Sequence, residues 1–209
     1  MFEDRADAAF KLCPKLRQLS GRNDVIVVGL MRGGIVTASV LAKVLKLKLT
    51  ALIVKKIPDP QNPELAIGAM ISLKDIYLNE SLIQELKVPD IKVNQLILKK
   101  WEEIQLALKT LNIKYNYHYR DKTILVVDDG VATGASAIAA ADFFKKRKAA
   151  HIILITPVIS TDTYKVVKKY FDRIIFLLKE ENFYAVGQFY RNFSQVTNEE
   201  AVKLLKRYW

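Results

Sequence analysis

A chain of 209 residues, 51 % of them hydrophobic, is the size of one α/β domain with an appendage and can bury a substantial core. Its apolar runs are too short for a membrane span, the opening Met-Phe-Glu-Asp-Arg is too charged for a signal peptide, and the single Cys13 excludes an intrachain disulfide; a cytoplasmic protein is expected. The net charge of +11 raises a nucleic-acid reading, but the lysines are scattered in pairs such as Lys99-Lys100, Lys145-Lys146 and Lys168-Lys169, as on solvated helix faces.

Residues 2–19 read as one amphipathic helix with Ala8, Leu12, Leu16 and Leu19 on a common face. Gly21-Arg22-Asn23-Asp24 ends it. Val25 to Leu30 is then a buried strand, closed by Met31-Arg32-Gly33-Gly34, and Ile35 to Leu47 is a helix. That turn is an ordinary βα turn or an anion loop, in which Arg32 can fork onto phosphate oxygens while the glycines expose backbone N–H groups. Thr50 to Val54 is the next strand. Lys55-Lys56-Ile57-Pro58-Asp59-Pro60-Gln61-Asn62-Pro63-Glu64-Leu65 follows, and its prolines predict irregular structure. Ile67 to Leu73 and Ile76 to Leu78 predict a short antiparallel pair. Val93 to Asn112 is a long helix with a stripe of Val93, Ile97, Trp101, Ile104, Leu108 and Leu111, where Trp101 packs. In Tyr115-Asn116-Tyr117-His118-Tyr119-Arg120 alternation aligns three tyrosines, a face that covers the core or stacks a base.

Residues 123–140 are the most informative stretch. Ile124 to Val127 is an apolar, β-branched strand; Asp128 and Asp129 follow it; then come the small-residue loop Gly130-Val131-Ala132-Thr133-Gly134-Ala135-Ser136 and an alanine-rich helix to Lys148. This is the layout of an anion site at a helix N-terminus, where free N–H groups and the helix dipole meet. Gly134 and its small neighbours let a phosphate approach, and Thr133 and Ser136 add hydroxyl donors. The two acids suit vicinal hydroxyls or the hydration shell of a divalent cation. A sugar phosphate satisfies both halves. The loop has no Gly-Lys-Ser/Thr, which disfavours a P-loop NTPase.

Val126 to Ser136 resembles the PRPP-binding motif of type I phosphoribosyltransferases: hydrophobics, two acids, two variable residues, then Asp/Ala-Thr-Gly-x-Thr/Ser. The resemblance implies that Asp128 and Asp129 hold the ribose 2′- and 3′-hydroxyls and, through hydroxyls or water, Mg²⁺. It also implies that residues 130–136 hold the 5′-phosphate. It makes Arg32-Gly33-Gly34 the pyrophosphate loop, with Lys55 and Lys56 as further candidates for that anion or else a charged strand end. A mobile loop near 55–65 would close over the reaction centre.

Downstream, His151 opens a strand, Ile152 to Ile155, as a structural histidine. Thr161 to Tyr170 is a helix capped by Thr161 or Asp162, and Arg173 to Leu178 is the last core strand. His118 and His151 have no partners at ligand or triad spacing, which leaves zinc and hydrolase readings without support. Residues 182–193 are densely aromatic, and Thr197-Asn198-Glu199-Glu200 is a capping box. Tyr184-Ala185-Val186-Gly187 is similar to the base-binding hood of 6-oxopurine phosphoribosyltransferases, which implies that Tyr184 and Val186 lie against a base. Arg191 stands where that subfamily has an acid, and Ala132 where it has an aspartate base; both weaken the case for a 6-oxopurine. Nearly end to end, the chain resembles a group of predicted phosphoribosyltransferases, which marks Asp4-Arg5 and Pro63 to Gly68 as functional candidates.

The expected fold is α/β: a parallel, Rossmann-like sheet flanked by helices over about 21–180, with a hood from residues 1–20 and 181–209 in one domain. The expected function is Mg²⁺-dependent transfer of the phosphoribosyl group of PRPP to a nitrogenous acceptor such as a nucleobase, in a homodimer as the family implies. The alternatives are a non-catalytic PRPP or nucleotide sensor and a basic nucleic-acid-binding protein.

Overall fold

Six consecutive apolar or small residues, Val25–Leu30 (β1), are all buried because β1 has a parallel neighbour on each side and a helical layer on each face. The computed structural model describes residues 1–63, 65–113 and 118–206. Its main sheet has five parallel strands: β1, β2 (Lys48–Leu52), β6 (Thr123–Val127), β7 (His151–Ser160) and β8 (Arg173–Glu180), in the order β2-β1-β6-β7-β8. The order reverses between β1 and β6. Open α/β sheets leave a crevice at such a point, outside the carboxyl ends of the strands.

Alternation along the strands divides the core. Val25, Val27, Leu125, Val127 and Ile155 face a layer containing α1 (Arg5–Leu12), α2 (Gly33–Leu45), α4 (Asp90–Leu111) and α7 (Asn198–Lys206). Ile26, Val28, Ile124, Val126 and Leu154 face α5 (Ala135–Lys146). A second, antiparallel sheet of β3 (Lys55–Pro58), β4 (Ala66–Ser72) and β5 (Asp75–Leu78) packs against α4 and α5. The N-terminal segment meets the aromatic stretch at the bridge between Phe2 and Tyr190, where Phe2 N donates to Phe189 O at 2.7 Å.

Several boundaries differ from expectation, each for a local reason. The first helix is α-helical only to Leu12 and continues as a 3₁₀ helix, Cys13–Leu19, with Pro14 in its first turn; the expected face of Ala8, Leu12, Leu16 and Leu19 is nevertheless buried. Residues 55–58 are a strand rather than a loop: the prolines begin only at Pro58, where the β3–β4 register shifts. Helix α2 starts in the glycine pair and stops at Leu45, with Lys46 left-handed at φ 53°. Strand β7 runs on to Ser160 past Pro157, because β6 has ended and the β7–β8 register skips that residue.

Helix α6 (Thr161–Val167) is preceded by Ser160 as its cap, not Thr161 or Asp162. A short helix, α3 (Glu80–Glu85), was not foreseen. His151 is exposed, its Nδ1 3.9 Å from Asp172. Trp101 packs against the core, and Tyr119 is buried on Phe143 and Phe144, whereas Tyr115 and Tyr117 lie outside the described residues, as does Glu64. Thr197 and Glu200 form the expected reciprocal capping box. Among the described residues no helix is long and apolar enough to cross a membrane.

Candidate active site

The loop after β6 is held from outside so that its N–H groups can face inward. Val131 N donates to Val158 O at 2.9 Å and Val131 O accepts from Ser160 N at 3.1 Å, tying the loop to β7. Val131 therefore serves as a buried strut, with its backbone donor already used. The Thr163 hydroxyl donates to Ala132 O from α6. Gly134 turns the chain at φ 78° with the side chains of Val167 and Thr163 against it; a Cβ there would lie 2.6 Å from Val167 Cγ1. Helix α5 starts at the next residue, and Ile138 N returns its hydrogen bond to Gly134 O at 2.9 Å. The N–H groups of Ala135, Ser136 and Ala137 precede that bond and have no intrahelical acceptor. They open on a small cavity lined by Asp128, Gly130 to Gly134, Ser136, Ala137 and, from β3, Lys56. Partial positive charge from the helix end and one ammonium converge there, a setting for a phosphate dianion.

Replacing Gly134 by Ala combines a left-handed backbone with the Val167 contact. We expect a stability loss of about 1–3 kcal/mol, read as a lower melting temperature by calorimetry.

The two adjacent carboxylates have different surroundings. Asp128 is half-buried at the strand end and its Oδ1 accepts from Asp129 N at 3.0 Å. Burial, then the Asp129 charge, push its pKa well above the usual carboxylate range, with Lys56 pulling back. Asp129 is buried and turned the other way. Its Oδ2 accepts from Arg5 Nε at 2.6 Å, and its carbonyl accepts from Tyr190 Oη at 2.6 Å. Burial and the Asp129 charge raise the Tyr190 pKa in turn. The sequence reading gave both acids the same role; only Asp128 faces the loop cavity.

The glycine pair is explained by the same geometry. A Cβ on Gly33 would lie 1.9 Å from Asp129 Oδ2, and one on Gly34 would lie 2.5 Å from Val127 O. Only glycine lets the start of α2 press against the end of β6, so Gly33 and Gly34 are packing elements as well as open backbone. Arg5 comes from the first turn of α1, where Asp4 caps the helix through Asp7 N at 2.8 Å. Besides Asp129, its Nη1 donates to Ser194 O at 2.8 Å, and its guanidinium lies 3.8 Å from the Phe193 ring centre. Sequence reasoning had no physical signal for this pairing across 124 residues; only the resemblance had marked Asp4-Arg5.

Arg32 is exposed at the head of α2 and lies between two cavities. One, of about 300 Å³, is shared with Arg5, Gly33, Asp129 and Phe193; the other, of about 430 Å³, with Lys55 and Glu103. Period-two alternation along β3 separates the adjacent lysines. Lys56 faces the loop cavity, whereas Lys55 Nζ lies 3.2 Å from Glu103 on α4. The two residues expected around a base, Val186 and Tyr184, differ in exposure. Val186 packs on Gly130, but Tyr184 stands 88 % exposed. Arg191 lies outside this crevice, in an exposed pair with Glu3 at 2.7 Å. No group of three acidic, histidine or cysteine side chains among the described residues is arranged to hold a metal alone.

Comparisons with known proteins agree with this architecture. A Mycobacterium tuberculosis (strain H37Rv) protein named "Putative phosphoribosyl transferase" is 34 % identical over 208 residues, 99 % of this chain and 47 % of that protein, so the chain spans about half the length of the curated relatives it matches. The crystal structure of TT1426 from Thermus thermophilus superposes with a TM-score of 0.80 at 27 % identity, covering 99 % of this chain and 98 % of the other. A Staphylococcus aureus hypoxanthine phosphoribosyltransferase shares the fold at a TM-score of 0.50 and 12 % identity, over 86 % of this chain and 74 % of its own. The family model of the phosphoribosyl transferase domain matches residues 3–194, and this chain belongs to that family.

Proposed function

We propose that the chain transfers the 5-phosphoribosyl group of PRPP to a nitrogenous acceptor, a nucleobase being the leading candidate, and releases pyrophosphate in a Mg²⁺-dependent reaction. One observation carries the reading: the N-terminus of α5, Lys56 and Asp128 surround one cavity at the carboxyl end of β6. The 5′-phosphate sits on the N–H groups of residues 132–136, with Thr133 and Ser136 as hydroxyl donors and Lys56 as counter-charge. Asp128, two residues before the loop, accepts hydrogen bonds from the ribose hydroxyls. The pyrophosphate lies toward Arg32 at the head of α2.

The residues fit a magnesium ion that arrives with its substrate. A single forward-facing carboxylate, Asp128, is a poor complete cage but suits Mg²⁺, which keeps several waters and takes substrate phosphate oxygens. When bound, Mg²⁺ supplies neutralisation of the departing diphosphate charge. Substitution occurs at the anomeric carbon through an oxocarbenium-like state: the bond to pyrophosphate oxygen breaks as the bond to acceptor nitrogen forms. The chain's part is positioning and electrostatic stabilisation. Arg32 meets the growing negative charge on the leaving group, while the anchored phosphate and ribose keep C1′ in line.

The test is release of pyrophosphate from PRPP and Mg²⁺ across a panel of purine, pyrimidine and amine acceptors; turnover on one acceptor supports transfer and names it. A second reading, a PRPP sensor on the same fold, draws on Ala132, which stands where 6-oxopurine enzymes have an aspartate base. PRPP binding with no turnover on any acceptor favours it. Under either reading Lys56→Ala weakens PRPP binding about ten-fold and leaves the melting temperature within a degree or two, because the side chain is exposed. Titration calorimetry on the folded variant measures both the loss and its size.

A further inference from the structure

We propose that Arg5 is a pyrophosphate-binding residue of this site, and that Asp129 is the carboxylate that holds it in place rather than a ribose ligand. This rests on the phosphoribosyl-transfer reading above. The observation behind it is the cavity of about 300 Å³ beside Gly33, which has two guanidinium groups in its wall, Arg5 and Arg32, but one carboxylate, Asp129. The wall is net positive and lies at the head of α2, a helix of 13 residues whose cap residue Arg32 makes no side-chain capping bond. Charge and backbone donors therefore favour an anion there.

Asp129 does not cancel that preference, since it is already committed. Its Oδ2 accepts the Arg5 Nε–H at 2.6 Å, against the backbone of Gly33. Without Arg5 this carboxylate would repel a diphosphate at the entrance to the helix. With Arg5 it becomes a mount. The guanidinium is fixed by Asp129, by Ser194 O at 2.8 Å and by the Phe193 ring 3.8 Å away. Those contacts use Nε and Nη1 and leave the Nη2 donors without a partner among the described residues. A buried arginine held from three directions loses little rotamer freedom on binding, and its planar fork matches adjacent phosphate oxygens. Arg32 closes on the same anion from the exposed side. The first helix thereby contributes to the site through one residue.

The experiment measures affinity for two probes, pyrophosphate with Mg²⁺ and ribose 5-phosphate, on wild-type protein, Arg5→Gln, and the double variant Arg5→Gln/Asp129→Asn. The double variant leaves no unpaired buried charge, so it remains informative if the single variant does not fold. The expected result is a loss of about ten- to a hundred-fold for pyrophosphate in each folded variant, with ribose 5-phosphate affinity within about three-fold of wild type. Equal losses for both probes would make Arg5 a structural residue and overturn the proposal. Pyrophosphate affinity restored in the double variant would overturn it too, since Arg5 would then only mask Asp129. Wild-type protein that binds neither probe would instead defeat the phosphoribosyl-transfer reading.

Discussion

Asp128→Asn is expected to reduce PRPP affinity about 100-fold or more while raising the melting temperature at neutral pH. On the proposed reading the loss follows from replacing the carboxylate that would accept the ribose hydroxyls by a neutral amide, since hydrogen bonds to charged groups contribute about 1.5–3 kcal/mol each. The gain in stability follows from the environment of Asp128. Its pKa is raised by burial and by the neighbouring Asp129 charge, so ionising it in the folded protein is unfavourable. Asparagine keeps the Oδ1 that accepts from Asp129 N and removes that cost. The sign can be checked by pH. A carboxyl whose folded pKa lies above its unfolded value contributes fully below the unfolded value, near pH 4, and loses its contribution as pH rises through the folded pKa. The melting-temperature advantage of the Asn variant should therefore vanish near pH 4 and grow toward neutrality. Calorimetry across that range, paired with PRPP titration at pH 7, measures both effects. A variant that binds PRPP like wild type would remove Asp128 from the site.

The second large effect is on folding. Arg5→Gln leaves Asp129 as a buried carboxylate without its counter-ion, and breaking a buried pair from one side costs about 3–5 kcal/mol. For a chain of this size that lowers the melting temperature by roughly 6–20 °C. Asp129→Asn in the same chain removes the stranded charge and should recover more than half of the loss. The same pair joins α1, the end of β6 and the segment at Ser194, so its disruption should also loosen the contact between Phe2 and Tyr190. Faster amide exchange at Phe2 and Arg191, whose N–H groups bond across that contact, would report it. A double variant no more stable than the single one would show that the cost lies in lost packing against Phe193 rather than in charge.

What the sequence revealed depended on the distance over which each feature is encoded. The strand, acid pair, loop and helix of 123–146 are contiguous, and each residue type is explained by its immediate neighbours. Arg32-Gly33-Gly34 is equally local, and its position beside the first motif follows from parallel strand pairing. The different surroundings of Asp128 and Asp129 are not local, because they depend on an arginine 124 residues away from Asp129. The different directions of Lys55 and Lys56 follow from period two, but only once residues 55–58 are known to be a strand. The prolines after them concealed that strand. Tyr184, expected against a base from its place beside a similar motif, is exposed, and local sequence does not encode that exposure.

The most direct test of the account is the melting temperature of the wild-type chain with and without PRPP and Mg²⁺. Ligand at about 100 times its dissociation constant adds about 2.7 kcal/mol, a rise of roughly 5–10 °C for a domain of this size. The account predicts that rise, and predicts that Asp128→Asn abolishes it. A folded wild-type chain with an unchanged melting temperature at millimolar PRPP would contradict the assignment of residues 128–136 as a phosphoribosyl site.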